Sequence, residues 1–250
     1  MAAASPDSHF RLRCAGRFAT TRWSIVAAAQ NGSSPQAQEA LAILCGSYWY
    51  PLYGYIRSQG YSADQSQDLT QGFFASLLEQ HTLAVFDHAR GKFRSFLLSA
   101  CKYYLAHERD RARAKKRGGG RRFFSLDFAY GEARYQAEPT HVRTAEKLFA
   151  RDWAFTVLDQ VLGQLRDEYA KKGKNDLFDH LRVCLQGDEQ SLPYAQVAHQ
   201  LGMTEGTVKV AAHRLRQRLR ELLCAEIGRT LDDTEDIEQE IRELFAALTP

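Results

Sequence analysis

Long apolar runs are missing from this sequence. Nowhere does it approach the roughly eighteen consecutive apolar residues that a membrane-spanning helix needs, and its first residues hold no apolar core of the kind a secretory signal carries. The expectation is a cytoplasmic chain with no membrane partner. Cysteine is sparse and unpatterned: Cys14, Cys45, Cys101, Cys184 and Cys224 are scattered and odd in number, with neither a C-x-x-C pair nor a Cys/His cluster at zinc spacing. Reduced thiols are expected, and no metal. Catalytic patterns are absent too. His107-Glu108 lacks the second histidine of H-E-x-x-H, no nucleophile elbow occurs, and Gly118-Gly119-Gly120 is not followed by the G-K-S/T of a phosphate loop. Neither an enzymatic activity nor a cofactor is expected.

What the chain does have is enough apolar material for one or two modest cores, with 44% hydrophobic and 25% charged residues in 250. The net charge of +3 conceals an uneven distribution. Residues 102–122 carry nine Lys or Arg against Glu108 and Asp110, or +7, which leaves about −4 for the rest of the chain. Such a block is the local footprint of a polyanion partner.

The most patterned stretch runs from Ser191 to Leu223. Tyr194, Val197, Ala198 and Leu201 recur at i, i+3, i+4 and i+7, which makes one apolar helical face. Ser191 suits its N-cap and Pro193 its first turn. Gly202 is suited to end that helix, because glycine takes a positive φ without steric cost, and Thr204 can cap the next one. There Val208, Ala212, Leu215, Leu219 and Leu222 form a second stripe, so Lys209, Val210, His213, Arg214 and Gln217 face outward, flanked by Arg216, Arg218 and Arg220. Small Ala198, the Gly202 turn and Val208 meet the requirements of a helix-turn-helix whose second helix enters a major groove. An ordinary helical hairpin with a solvated basic face is the competing reading.

The rest of the chain reads as helices. Residues 1–19 show no sustained period and are expected to be a mobile leader, and a short helix is expected from Thr21. Pro35 to Gln59 repeats Leu41, Leu44, Tyr48, Leu52, Tyr55 and Ile56, with Pro51 dividing the pattern into two expected helices. A third runs from about Ala63 to Glu79 and a fourth from Phe93 into the basic block. Aromatics beside cations are what single-stranded DNA binding uses, although the core competes for the same rings. Phe96 and Tyr104 are assigned mostly to the core, leaving Phe93, Lys102 and Tyr103 as exposed candidates. Residues 114–145, with three glycines, Pro139 and no useful period, read as a linker. Further helices follow near Glu146–Tyr169 and Leu177–Gln186. Residues 227–250 form an acidic amphipathic helix with Ile237, Ile241, Leu244 and Leu248 in line; from Leu231 on, seven carboxylates stand against one arginine. The plain reading packs it on its own domain, and the charge opposition suggests that it masks the basic DNA-reading surface.

Gly206-Thr207-Val208-Lys209 followed by His213-Arg214-Leu215-Arg216 resembles the promoter-reading module of bacterial RNA polymerase sigma factors, and more narrowly the extracytoplasmic-function group. Asp68-Leu69-Thr70-Gln71 with Phe73-Phe74 is similar to the segment of that family that binds the clamp helices of the polymerase's largest subunit; Gly72 departs from it, standing where the family usually has an acidic residue. The resemblance spans roughly Thr21 to Glu226 and implies an all-α chain: a region-2-like domain over 20–113, a linker over 114–145, and a region-4-like helix-turn-helix domain over 146–226. By resemblance, Thr204, Thr207, Lys209, Val210, His213, Arg214, Arg216 and Gln217 would read the minus-thirty-five element. Asp87, Arg90, Lys92, Phe93, Arg94, Lys102, Tyr103, Arg109 and Arg113 would serve the minus-ten element, where a flipped-out base is held. Asp64, Asp68, Gln71, Phe74 and Leu78 would contact core polymerase. Arg216, Arg218 and Arg220 would lie nearer phosphates or in part face the polymerase flap, and the linker would thread toward the active-site and RNA-exit channels. An anti-sigma factor is a common partner in the family, though no residue here identifies one. The rival is a helix-turn-helix regulator that never joins polymerase.

Overall fold

A proline sits inside the first helix without interrupting it. The computed structural model describes residues 35–79, 83, 86, 91–114, 126–137, 144–185, 194–231 and 234–249. The helix expected from Thr21 and the caps expected at Ser191 and Pro193 lie outside them. Helix α1 (Pro35–Ser58) is continuous through Pro51, not divided into two. An interior proline costs about 3 kcal/mol. Against it, Leu44, Tyr48, Leu52, Tyr55 and Ile56 all become buried along one unbroken helix, and each large apolar side chain removed from water contributes ~1.5–3 kcal/mol. The shared face outweighs the missing hydrogen bond.

Gly60, at φ 90°, turns the chain. Helix α2 (Ala63–Glu79) then opens with a reciprocal cap: the Gln65 amide donates to Ser62 Oγ at 3.2 Å and the Ser62 amide donates to Gln65 Oε1 at 3.0 Å. Helix α3 (Phe93–Ala114) follows and lays Phe93, Leu97, Cys101 and Leu105 into the core. These spacings are the helical ones expected.

The segment read as an aperiodic linker contains a helix, α4 (Phe128–Ala137). Its ten residues carry too few apolar positions to show a period, and it is held by particular contacts instead. Phe128 packs against Tyr53 and Trp49. Gly131 lets the backbone approach Trp49 so closely that a Cβ would lie 2.9 Å from the indole. Glu132 receives two hydrogen bonds from Arg57, at 2.9 and 2.8 Å, and Arg134 stacks over Tyr50 at 4.1 Å.

Helix α5 (Ala145–Lys171), capped by Thr144, is the wall on which α1 and the last two helices of the chain pack. Helix α1 lies along it, and the approach is close at Gly54, where a Cβ would meet Asp152 Oδ2 at 2.5 Å. Phe149, Trp153, Val157, Val161 and Leu165 fill the interface and join the side chains of α1, α3 and the last two helices (Glu205–Ile227 and Thr234–Leu248) in one continuous core. Gly173, at φ 65°, ends α5. Helix α6 (Asn175–Leu181), a 3-10 turn (Arg182–Leu185), α7 (Tyr194–Leu201), α8 (Glu205–Ile227) and α9 (Thr234–Leu248) complete the chain. The described residues hold nine α-helices and no strand, and none of these helices is long and apolar enough to cross a membrane.

Candidate nucleic-acid interface

The angle between α7 and α8 is set by backbone chemistry at one glycine. Gly202 has φ 62°, and the Met203 amide reaches back to the Ala198 carbonyl at 2.9 Å, which satisfies an orphan group at the end of α7. Thr204 restarts the helix: its backbone is extended and its Oγ1 accepts the Thr207 amide at 3.2 Å. Val197 and Ala198 of α7 meet Val208, Ala212 and Leu215 of α8, all fully or nearly fully buried. With that face spoken for, Thr207, Lys209, Val210, His213, Arg214 and Gln217 form an exposed arc, and Thr204 stands exposed at its start. Val210 is 52% exposed, an apolar side chain held out among polar ones. Lys209 makes an i,i+4 ion pair with Glu205 at 2.8 Å.

Arg216 is a correction to the expected set. Its guanidinium turns inward and donates to the Cys184 carbonyl at 3.2 and 2.8 Å and to the Tyr194 hydroxyl at 3.0 Å. It stands at the edge of the exposed arc, between Arg214 and Gln217, and braces the 3-10 turn and the start of α7 against α8. Arg218 likewise pairs with Glu168 and Glu221, and Arg220 lies 3.7 Å from Glu238.

The expected minus-ten residues divide into three groups. Asp87 and Arg90, and the side chain of Arg113, lie outside the described residues. Lys102, Tyr103 and Arg109 are exposed on α3: Tyr103 is 71% exposed beside His107, Lys102 pairs with Glu146 at 2.8 Å, and Arg109 donates to the Tyr61 hydroxyl at 2.7 Å. Phe93 is the second correction. It is buried, edge-on to Tyr48 and Phe86 with ring centroids 5.5 and 5.3 Å away, because the first apolar position of α3 falls against α1. Lys92 and Arg94 on either side of it are engaged by helix α9. Lys92 Nζ is 2.7 Å from Glu240 and 2.6 Å from Glu243, and Arg94 pairs with the same two carboxylates while stacking over Trp153 at 4.8 Å. Burial works against the charged form of Glu243, but Lys92, Gln239 and Arg94 outweigh it and hold its carboxyl below the usual range.

Among the expected polymerase contacts, Asp64 and Asp68 are exposed. Gln71 and Phe74 are buried, the third correction, because residues 70–75 of α2 are buried on every side. The side chain of Leu78 lies outside the described residues. Sequence reading missed the carboxylate pair of α9 and its Trp153 backing. The excess of acid in the tail was visible, but nothing in a one-dimensional pattern names the cations it meets. Desolvation by burial pushes the Cys45 and Cys101 thiols up to about 12, which disfavours their thiolates. Comparison with models of known families, with curated proteins and with solved structures gave no match.

Proposed function

We propose that this chain is a sigma factor of the extracytoplasmic-function group, a subunit that directs core RNA polymerase to particular promoters and assists their melting. The observation that carries the reading is the exposed arc of α8 set by a glycine-turned helix-turn-helix. Helix α8 enters the minus-thirty-five major groove, with Lys209, His213 and Arg214 nearest base edges and Thr204 and Thr207 at the helix start, where amides favour phosphate. The exposed Val210 suits the methyl group of a thymine. Exposed Tyr103, backed by His107 and flanked by Lys102 and Arg109, offers a stacking face and positive charge to an unpaired strand. Residues 20–113 and 146–226 address the two promoter elements in this reading, and the described helices of both share one continuous core across α5.

Asp64 and Asp68 remain outward on α2 for the clamp helices of the polymerase. The test is gel filtration of the purified chain with core polymerase. Co-elution is expected, and charge reversal at both aspartates (D64K/D68K) abolishes it. Failure of the unaltered chain to co-elute overturns the reading. One observation favours the rival, a helix-turn-helix regulator that does not join polymerase: Gln71 and Phe74 are buried and cannot serve as contacts in this conformation. Such a protein would shift a promoter fragment yet start no transcript.

A further inference from the structure

The Lys92–Arg94 pair sits where a cationic subsite for DNA is wanted, and it is occupied by the chain itself. Two carboxylates of α9 meet two cations of the α3 start in four ion pairs. Glu240 is buried, and Arg94 is mostly withdrawn from solvent. Arg94 also stacks on Trp153 of α5, a contact that does not involve the carboxylates. A phosphate has the same requirement of such a cation pair, two or more charged acceptor oxygens at hydrogen-bond distance. Helix α9 is seated by Ile237, Ile241 and Leu244, with Ala247 and Leu248 packed beside them, against α5 and α8. Its outward Asp236, Gln239 and Arg242 are polar, and Phe245 is partly exposed.

We propose that helix α9 is an internal substitute for the DNA backbone: Glu240 and Glu243 fill the Lys92–Arg94 subsite that a phosphate of the unpaired promoter strand takes once α9 has swung away. The inference rests on the reading of the chain as a promoter-binding sigma factor. It makes the free chain a poor DNA binder and couples DNA access to release of α9. It also places the masked surface at the foot of α3, not on the outer arc of α8, which the carboxylates of Glu240 and Glu243 leave uncovered.

The test uses the free full-length chain and a labelled single-stranded oligonucleotide. Neutralising both carboxylates (E240Q/E243Q) is expected to tighten binding by on the order of ten-fold at low salt and to steepen the salt dependence by about 0.7 in log–log slope, the effect of one further phosphate contact on a single strand. Because the double change leaves Arg94 without an anion and threatens folding, E243Q alone serves as the milder variant. It keeps Glu240 against Arg94, and an intermediate gain is expected. The control D236N removes one charge from an exposed position of the same helix and should leave affinity within two-fold of the unaltered chain (~2-fold being the scatter of a surface change). If both glutamate variants bind no tighter than the control while the unaltered chain still co-elutes with core polymerase, the substitute role is refuted and the sigma reading stands. If no variant binds the strand and the chain ignores core polymerase, both fall.

Discussion

Arg216 separates two kinds of arginine that look alike in sequence. Replacing it with alanine removes three hydrogen bonds and leaves the Cys184 carbonyl and the Tyr194 hydroxyl without that donor. Hydrogen bonds from a charged donor contribute ~1.5–3 kcal/mol, and a group left unsatisfied in the interior costs a similar amount. A loss of about 2–3 kcal/mol is therefore expected for R216A. In a chain of this size each kcal/mol shifts Tm by roughly 2–4 °C, so thermal denaturation followed by circular dichroism should show a fall of about 4–12 °C. Arg214, exposed on the arc, behaves in the opposite way. R214A should change stability by less than about 0.5 kcal/mol while relaxing sequence preference at one base pair by ~1–3 kcal/mol in a promoter-fragment competition assay. The reasoning is refuted if R216A melts like the parent chain and instead lowers the salt slope of DNA binding, the signature of a lost phosphate contact.

Three further outcomes are expected. G202A forces a β-carbon into the left-handed region at φ 62° and should cost about 1–2 kcal/mol in denaturant unfolding. G131A should loosen α4, because the added carbon meets the Trp49 ring at 2.9 Å; overpacking of ~1–3 kcal/mol should appear as faster amide exchange over residues 128–137. Arg57, then Tyr53 and Gln136, hold the Glu132 carboxyl down to about 2 against a burial penalty. A depressed folded-state value stabilises the fold above the unfolded value and is lost on acidification. The unaltered chain should exceed E132Q in stability by on the order of 2–3 kcal/mol at neutral pH, and the gap should close between pH 4.5 and about 2 in pH-dependent melts.

Periodicity carried the helices with a wide apolar face. The stripes Tyr194-Val197-Ala198 and Val208-Ala212-Leu215 and the line Ile237-Ile241-Leu244 lie in the core where their spacing places them. Gly202 and Thr204 were legible because a helix-turn-helix leaves so few residue types for those two positions. Pro51 misled because a local breaker was weighed without the core contacts that overrule it. Helix α4 was illegible for a related reason, since one phenylalanine, one glycine and two charged residues hold it by fitting Trp49, Tyr50, Tyr53 and Arg57 seventy-five or more positions away. Charge was the least legible quantity. Arg214 and Arg216 are two residues apart, and the positions of the Cys184 carbonyl and the Tyr194 hydroxyl decide that the second turns inward. For Lys92 and Arg94, what mattered was Glu240 and Glu243, far along the chain.

The claim that this chain gives core polymerase its promoter choice is tested most directly by run-off transcription from genomic fragments, with core polymerase alone and with the chain added. Discrete transcripts that depend on the chain, and whose selected upstream sequences change when His213 or Arg214 is replaced, are the predicted result. Fragments bound by the chain but yielding no new transcript with core polymerase would contradict it.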